Sequence, residues 1–276
     1  MADGPTTRGA LEQSGLIPVD ARTLLAHVLG RDRAWLLAHA GDVLERSQAD
    51  AFFELAKRRR AGEPVAYLVG QREFWGLALK VSPAVLIPRP ETETLVEAAL
   101  ARLPDDRPLR VIDLGTGSGA IALAIAHERP NARVWGTDVS DEALAVARDN
   151  AERLALRNVT FMRSDWYLAV PDESFDAILS NPPYVAPGDP HLTEGDLRFE
   201  PRIALSPGDD ALRALKTIVA GAARRLVPGG SLIVEHGFDQ SDTVLQLFEA
   251  AGFDDVRSFR DLAGIARIVA GRAAAS

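Results

Sequence analysis

The sequence predicts an α/β protein with a doubly wound, seven-stranded and mostly parallel sheet that ends in an antiparallel strand, preceded by a small helical domain. From about residue 109 onward, short apolar β-branched runs alternate with alanine-rich helical stretches, which is typical of a parallel sheet. The last two apolar runs are separated by too few residues for a crossover helix, so we expect them to pair antiparallel. Before about residue 62, the apolar residues recur at helical spacing instead.

The composition indicates an ordinary globular chain. Its 276 residues are 47% hydrophobic and 25% charged, enough for one large domain and a smaller one. With 31 Lys and Arg against 39 Asp and Glu, the net charge is −8, which makes nucleic acid a poor candidate partner. The absence of cysteine excludes disulfides, thiolate metal sites and cysteine nucleophiles. No signal-peptide core opens the chain and no apolar run reaches the roughly 18 residues of a membrane span, so we expect a cytoplasmic protein without membrane contact.

The helical domain is placed at residues 1–70. Asp20 is expected to cap a helix that carries Ala21 to Leu29, and Gly30 is expected to end it. The run Lys57-Arg58-Arg59-Arg60 is interpreted as the solvated C-terminal end of a helix, where cations complement the helix dipole. A partner-binding role for this basic run is the alternative.

Residues 71–88 are predicted to form a β-hairpin linker between the two domains. Two β-prone runs, one ending at Val81 and one beginning at Val85, are joined by Ser82-Pro83-Ala84. The sheet domain is placed at residues 89–276. Pro90 suits the first turn of its first helix, which should continue to Leu100.

The sheet domain should contain seven strands. Their apolar runs lie at 110–113, 132–136, 159–162, 176–179, 231–234, 255–258 and 264–270. A helix from Ile121 to His127 follows the first strand, and a helix from Asp141 to Leu154, with Ser140 as its N-cap, follows the second.

A glycine-rich segment, Asp113 to Ala120, lies between the first strand and its helix. Its three glycines let backbone N–H groups approach a ligand closely and bring a helix N-terminus up to it. Gly115, Gly117 and Ala120 also satisfy the G-x-G-x-x-A variant of the dinucleotide fingerprint. The segment therefore predicts a cofactor loop and leaves an NAD(P)-dependent oxidoreductase as an alternative.

Two further strand ends supply polar groups for a nucleoside. Asp138 follows the second strand, where a carboxylate can accept from both hydroxyls of a ribose. Asp165 and Trp166 follow the third strand and offer an acceptor for an adenine amino group and an aromatic face. A plain core position is the competing interpretation of Trp166.

The segment Asn181-Pro182-Pro183-Tyr184 follows the fourth strand, at the sheet edge where α/β proteins bind ligands. Its two prolines make a stiff loop without N–H donors. The Asn181 side-chain oxygen and the Pro182 carbonyl can both accept from one planar NH2 group, with Tyr184 packing against its flat face. The loop thus predicts a substrate with an amide or an exocyclic amine, and a simple proline-rich turn is the alternative.

Other catalytic patterns are missing from the sequence. Thr116 occupies the position where a nucleophile elbow around Ser118 would need glycine, and no G-x-x-x-x-G-K phosphate loop occurs. The five histidines show no metal-ligand spacing, so no metal is expected. Only His236, after the fifth strand, should lie near the cleft.

Taken together, these segments resemble the class I S-adenosylmethionine-dependent methyltransferases, and among them the release factor glutamine methyltransferases of the HemK type. The segment 113–119 resembles their cofactor loop, and Asn181 to Tyr184 resemble their substrate loop. Segments 70–76, 87–93 and 199–205 are also similar to segments of this subfamily. The resemblance covers nearly the whole chain.

The resemblance implies methyl transfer from S-adenosylmethionine to the side-chain amide nitrogen, N5, of the glutamine in the Gly-Gly-Gln motif of bacterial release factors, with S-adenosylhomocysteine as product. It also implies a monomer that uses no metal and has no direct contact with nucleic acid. By the same resemblance, Gly115, Thr116, Gly117, Ser118 and Gly119 hold the methionine part, Asp138 the ribose, and Asp165 with Trp166 the adenine. Asn181, Pro182 and Tyr184 are the implied catalytic residues; Asn181 faces cofactor and substrate, and Pro183 helps to clamp the glutamine.

Other functions compete with this one. An N6-adenine methyltransferase acts on the same planar NH2, but the charge of −8 and the lack of a basic segment interleaved with aromatics speak against it. An oxidoreductase would need a Lys, Tyr or His recognisably beside a hydride-transfer site. A non-enzymatic adaptor is disfavoured because the cofactor and substrate loops are both intact.

Overall fold

A computed structural model of the protein describes residues 4–275, which divide into two compact units. One unit holds the residues up to Gln71 together with Thr193–Phe199, and the other holds Arg72–Leu192 together with the residues from Glu200 onward. The segment 193–199 therefore belongs to the helical unit although it lies far along the chain. No sequence pattern had indicated this.

The helical unit packs around the apolar side chains of Leu24, Leu25 and Phe52, which are fully buried. Its helices are α1 (Thr7–Gln13), α2 (Pro18–Leu29), α3 (Arg33–Ala38), α4 (Arg46–Arg60) and α5 (Val65–Val69). Gly30 ends α2 with a φ of 62°, as predicted, because glycine adopts this left-handed conformation without a steric penalty.

The predicted role of Asp20 as a helix cap is wrong. The N-cap of α2 is Ile17, and the helix begins at Pro18, because proline has no N–H to satisfy and a φ already suited to the first turn. Asp20 lies inside that first turn, where its carboxylate accepts a hydrogen bond from Arg59 Nε at 2.7 Å.

The basic run ends α4 as predicted, but it is not simply solvated. Arg58 donates to Glu63 at 2.8 Å, and Arg59 donates to Asp196 at 2.7 Å as well as to Asp20. Arg60 donates to the Ser14 carbonyl. Three of the four cations thus hold the helical unit together, because nearby acceptors compete with water for them.

A hairpin lies within residues 71–88, but it is not the predicted one, because the run that begins at Val85 forms no strand. Strands β1 (Gln71–Phe74) and β2 (Leu77–Lys80) are joined by Trp75 and Gly76, with φ values of 53° and 69°. Two such residues form the tight turn that best matches the twist of paired strands. The backbone N–H of Trp75 donates to Glu93 at 2.9 Å and its indole N–H donates to Glu128 at 2.8 Å, which offsets the cost of a left-handed tryptophan.

The main sheet has seven strands in the order β5-β4-β3-β6-β7-β9-β8. They are β3 (Arg110–Leu114), β4 (Arg133–Asp138), β5 (Val159–Arg163), β6 (Phe175–Ser180), β7 (Leu226–Glu235), β8 (Phe253–Arg260) and β9 (Ala266–Ala273). Strands β3 to β7 pair in parallel, and β9 runs antiparallel to both β7 and β8. The predicted mostly parallel sheet with an antiparallel last strand is confirmed.

Helices cover both faces of this sheet. The helices of the sheet unit are α6 (Glu93–Leu100), α7 (Ala120–Glu128), α8 (Asp141–Arg153), α9 (Arg202–Leu205), α10 (Arg213–Ala222) and α11 (Ser241–Ala250), with a 3₁₀ turn at Pro90–Thr92. Two further 3₁₀ turns are Pro190–Thr193 and Gly195–Phe199, and the second of these belongs to the helical unit. Val111 and Ile112, neighbours on β3, pack into separate apolar clusters with Leu123 and Leu215 respectively. Successive strand residues point to opposite faces, so two cores form and the sheet is doubly wound.

The carboxyl ends of the five parallel strands therefore meet at one edge of the sheet, and the loops that follow β3, β4, β5, β6 and β7 lie there together. Ligand sites of doubly wound sheets form at this edge. In the part of the chain that is described, no helix has the length and apolar character needed to cross a membrane.

Candidate active site

A cavity of about 660 Å³ opens in the sheet unit at this edge. Its volume falls in the range of about 300–1,000 Å³ that is usual for small-molecule sites. The cavity wall includes Gly115, Gly117, Asp138, Asp165, Trp166, Asn181 and Pro183. Seven residues singled out in the sequence are thus brought together from the ends of four strands, whereas Thr116, Ser118, Gly119, Pro182 and Tyr184 do not line the cavity.

The glycines of the loop after β3 have two different roles. Gly115, Gly117 and Gly119 all have positive φ, at 72°, 55° and 85°. A Cβ atom at Gly119 would lie 3.0 Å from Leu123 Cδ1 and 3.2 Å from the Phe161 ring, so this glycine allows α7 to pack closely. A Cβ at Gly117 would meet nothing within 4 Å, so the backbone there is open toward the cavity.

Thr116 and Ser118 face inward and fix the shape of the loop. Thr116 donates its hydroxyl to Asp113 Oδ2 at 2.6 Å, and its backbone N–H donates to the Thr137 carbonyl at 2.8 Å. The Ser118 carbonyl accepts from the side chain of buried Asn150 at 2.9 Å. Complete burial raises the pKa of the Asp113 carboxyl to about 7, although the hydrogen bond from Thr116 opposes this.

Asp138 ties the glycine loop to the end of β4. Its Oδ2 atom accepts from the Gly117 N–H at 2.9 Å, and its Oδ1 atom accepts from the Ser140 N–H at 3.0 Å. A carboxylate oxygen can accept more than one hydrogen bond, so both oxygens retain acceptor capacity at the cavity wall. Asp138 therefore positions the loop and can still bind a diol. The predicted N-cap of α8 is confirmed, since the Ser140 side chain accepts from the Ala143 N–H.

Trp166 is held in a conformation that is uncommon for a large side chain. Its φ is 47°, and its carbonyl accepts from buried Ser164 Oγ at 2.8 Å, while the same oxygen of Ser164 accepts from the Ala169 N–H at 3.0 Å. Strained backbone of this kind concentrates at functional sites. Trp166 lines the cavity and also packs partly on the apolar cluster below it, and its contact with adenine stays a prediction. Asp165 beside it is exposed.

Asn181 follows β6 and reaches the cavity wall with its amide already engaged. Its Nδ2 atom donates to Thr92 Oγ1 at 3.1 Å, which leaves Oδ1 as the available acceptor. Pro182 is buried, and within residues 4–275 no group donates a hydrogen bond to its carbonyl oxygen. The Val185 N–H donates to the Leu205 carbonyl at 2.9 Å and anchors the end of the loop. Neither predicted acceptor is therefore occupied by a donor from the described residues, and of the two residues only Asn181 lines the cavity.

A buried carboxylate, Glu235, lies behind this loop at the end of β7. Thr92 donates its hydroxyl to Glu235 Oε2 at 2.7 Å, and Tyr184 donates its hydroxyl to Glu235 Oε1 at 3.0 Å. Burial, with a smaller contribution from the charge of Glu91, raises the pKa of Glu235 to about 7 against these two hydrogen bonds and the charge of Arg267. Burial and the adjoining Glu235 likewise raise the pKa of Tyr184. The side chain of Tyr184 is therefore fixed behind the cavity wall.

Sequence reasoning did not assign Thr92 or Glu235 to the site. Thr92 lay in one of the segments resembling the subfamily, and the position of Glu235 at the carboxyl end of a parallel strand was the only local signal for it. His236 is fully buried, its ring Nδ1 lies 2.8 Å from the Gly237 carbonyl, and burial lowers its pKa. Among the described residues, no group of three or more His, Asp or Glu side chains could hold a metal ion.

Comparison with known proteins agrees with this architecture. Residues 7–70 match the family described as PrmC N-terminal domain, and residues 92–194 match the family described as Methyltransferase small domain. A methyltransferase structure from Pyrococcus furiosus has a TM-score of 0.56 at 19% identity, covering 79% of this chain and 97% of that one. The 16S rRNA N2 G1207 methyltransferase (RsmC) of Thermus thermophilus, in complex with AdoMet and guanosine, has a TM-score of 0.56 at 22% identity, covering 73% of this chain and 49% of that one. These structures show the shared fold.

Curated relatives are similar over nearly the full length. The release factor glutamine methyltransferase of Bordetella pertussis is 53% identical over 262 residues, covering 95% of this chain and 97% of the relative. That of Escherichia coli K12 is 47% identical over 253 residues, covering 92% and 91%. With this identity along the whole chain, the protein belongs to the release factor glutamine methyltransferase family.

Proposed function

We propose that this protein is an S-adenosylmethionine-dependent methyltransferase that methylates the N5 atom of the glutamine in the Gly-Gly-Gln motif of bacterial release factors, as part of translation termination. The family supports the methyl transfer and the release factor substrate. The observation that carries the finer proposal is the state of Asn181: its NH2 is bonded to Thr92, so its oxygen is left as an acceptor at the cavity wall.

A side-chain amide needs this kind of site. Its nitrogen is a poor nucleophile, because the lone pair is delocalised into the carbonyl. The Asn181 Oδ1 atom and the Pro182 carbonyl would each take one hydrogen of the glutamine NH2. Two fixed acceptors orient the nitrogen and stabilise the positive charge that grows on its N–H groups, so the loop contributes positioning and electrostatics. In this proposal Pro183 completes the clamp at the cavity wall, and Tyr184 supports the loop from behind through its bond to Glu235.

The cavity fits S-adenosylmethionine. Its volume is suitable, the backbone at Gly117 is open to it, and Asp138 and Asp165 supply acceptors at its wall. When bound, S-adenosylmethionine supplies an electrophilic methyl group on a sulfonium. We assign the segment Gly115 to Gly119 to its methionine part, Asp138 to its ribose hydroxyls, and Asp165 with Trp166 to its adenine. The AdoMet complex of the structurally similar RsmC supports this choice of cofactor.

The proposal extends to the roles of the domains and to where and in what form the protein acts. We assign residues 1–70 to recognition of the release factor, 71–88 to a linker and 89–276 to catalysis. The protein is proposed to act as a cytoplasmic monomer, without direct contact with nucleic acid, because its substrate is a protein of the translation apparatus and its net charge is −8.

The test is mass spectrometry of a release factor after incubation with this protein and S-adenosylmethionine. A single added methyl on the Gly-Gly-Gln glutamine is expected. A release factor with that glutamine replaced by alanine is the matched control and should stay unmodified. Methylation of adenine in DNA or RNA offered in parallel, with no change to the release factor, would refute the proposal.

A further inference from the structure

We propose that Thr92 and Glu235 are positioning residues that fix the orientation of the Asn181 amide, so that its oxygen and not its NH2 faces the cavity. The proposal rests on the proposed function of Asn181 as an acceptor for the substrate amide. Neither residue lines the cavity itself; Thr92 reaches it through its hydrogen bond to Asn181, and Glu235 acts through Thr92.

The orientation follows from the number of hydrogens in the chain of hydrogen bonds. Above its pKa of about 7, Glu235 is an ionised carboxylate without a hydrogen, so in that form it can only accept. The Thr92 hydroxyl, 2.7 Å from Glu235 Oε2, must therefore donate its single hydrogen there. Toward the Asn181 amide, 3.1 Å away, the same oxygen can then only accept, so the amide has to present its NH2 to Thr92. The Asn181 oxygen is left for the cavity.

Burial prevents the donor and acceptor roles in this chain of hydrogen bonds from changing. Thr92 is 4% exposed and Glu235 is 1% exposed, so water does not compete for their hydrogen bonds. The second carboxylate oxygen is occupied by the Tyr184 hydroxyl at 3.0 Å, and Tyr184 is itself anchored by Gln240, which donates to its carbonyl at 3.0 Å. The carboxylate therefore cannot rotate away without losing a donor.

The cost of burying Glu235 indicates that the carboxylate has a specific use. A buried carboxylate is expensive to desolvate, and well-packed apolar residues often serve stability equally well. Here the charge joins three elements that are distant in sequence: the 3₁₀ turn Pro90–Thr92, the loop after β6 and the end of β7. A reversed Asn181 would offer hydrogens to the hydrogens of a substrate amide, and the proposed alignment would be lost.

The chain of hydrogen bonds from Glu235 through Thr92 to Asn181 is called the relay here. Two variants of Thr92 test it by kinetics. Thr92→Val keeps the shape but removes the hydroxyl, and Thr92→Ser keeps the hydroxyl. We expect Thr92→Val to lower kcat on release factor at least about tenfold, with the KM for release factor and the Kd for S-adenosylhomocysteine within about threefold of wild type, and Thr92→Ser to recover most of kcat. Ser231→Ala, which removes another buried hydroxyl from the strand that carries Glu235, is the matched control and should retain wild-type kcat.

A measurement on the wild type tests the same relay without any catalysis. The Asn181 side-chain NH2 signals, identified by their loss in Asn181→Ser, should exchange with solvent at least about tenfold more slowly than those of an exposed amide. Unprotected Asn181 signals would overturn the proposal. So would a Thr92→Val variant with kcat within about threefold of wild type, or a Thr92→Ser variant no better than Thr92→Val.

The kinetic and exchange results separate this inference from the proposed function. If the wild type adds no methyl to a release factor, the proposed function fails, yet the exchange measurement still reports whether the amide is held. If the wild type methylates the glutamine but the Asn181 amide is unprotected, the relay alone is refuted.

Discussion

Asn181 and Thr92 lie 89 positions apart in the chain and are joined by one hydrogen bond of 3.1 Å from Nδ2 to Oγ1. This bond makes the orientation of the Asn181 amide in the substrate loop depend on a residue from a different element.

Asn181→Ala should lower turnover on release factor by at least about 10²-fold, because an oriented acceptor at the reacting nitrogen is lost, while cofactor affinity stays within about tenfold. Steady-state kinetics with methyl-labelled cofactor and calorimetric titration with S-adenosylhomocysteine measure the two effects. Turnover close to that of the wild type would remove Asn181 from the catalytic assignment.

Gly119→Ala and Gly117→Ala should separate folding from cofactor binding. At Gly119 the added methyl would lie 3.0 Å from Leu123 and 3.2 Å from Phe161, closer than ordinary van der Waals contact, and φ is 85°. We therefore expect a loss of about 1–3 kcal/mol in the free energy of unfolding. At Gly117 the φ of 55° also disfavours alanine, but the methyl meets no atom of the protein and stands at the cavity wall. Stability should therefore fall less than in Gly119→Ala, and cofactor affinity should fall more. Chemical denaturation and titration with cofactor measure both quantities, and equal effects of the two variants would contradict this division.

Glu235→Gln should change how stability depends on pH. Burial raises the pKa of Glu235 from an ordinary 4.5 to about 7 in the folded protein, so between these values the folded state holds a proton that the unfolded chain has lost. Stability of the wild type therefore falls as pH rises through this window, by up to about 3 kcal/mol for this group. Glutamine does not titrate, so the variant should become more stable relative to wild type from pH 5 to pH 7 and then level off. Asp113, whose pKa is also about 7, is present in both proteins and cancels. Parallel curves of unfolding free energy against pH would contradict the prediction.

Tyr184→Phe and Tyr167→Phe form a matched pair. Each removes a buried hydroxyl that makes one hydrogen bond, to Glu235 at 3.0 Å for Tyr184 and to the Ile218 carbonyl at 2.9 Å for Tyr167. The bond to a carboxylate should contribute about 1.5–3 kcal/mol to stability, against about 1 kcal/mol for the bond to a carbonyl. Only Tyr184→Phe should also lower turnover, since Tyr184 belongs to the substrate loop. Comparable turnover in the two variants would argue against the role of Tyr184.

Most of the sheet could be predicted from the sequence, because each buried strand contains a short apolar run. Some helix ends could be predicted as well, because serine and glycine have local conformational reasons to stand there. Ser140 as an N-cap and Gly30 as a helix end are examples, and the structure confirms both. The hairpin turn could not be placed in this way. A left-handed Trp75 is unfavourable by itself and is held by Glu93 and Glu128, which are distant in sequence.

The residues on the cofactor side of the site were easier to recognise in the sequence than the residues that hold the substrate loop in place. Glycines in a loop and a carboxylate at a strand end carry their chemistry in the local pattern, and the cavity brings Gly117 and Asp138 together. Thr92 carries no such local signal, and Glu235 carries only its position at a strand end. Their importance arises from hydrogen bonds between elements that meet only in the folded chain. The same holds for Asp20, whose partner Arg59 lies on another helix.

The membership of Thr193–Phe199 in the helical unit has a practical consequence for dissecting the enzyme. A chain cut after Gln71 would separate Arg59 from Asp196 and the Ala61 carbonyl from the Arg198 side chain that donates to it at 2.5 Å. An isolated N-terminal fragment would thus lack part of its own fold, and the remaining fragment would carry a peptide with no docking surface. Swapping recognition modules between relatives would accordingly require exchanging two stretches of sequence at once.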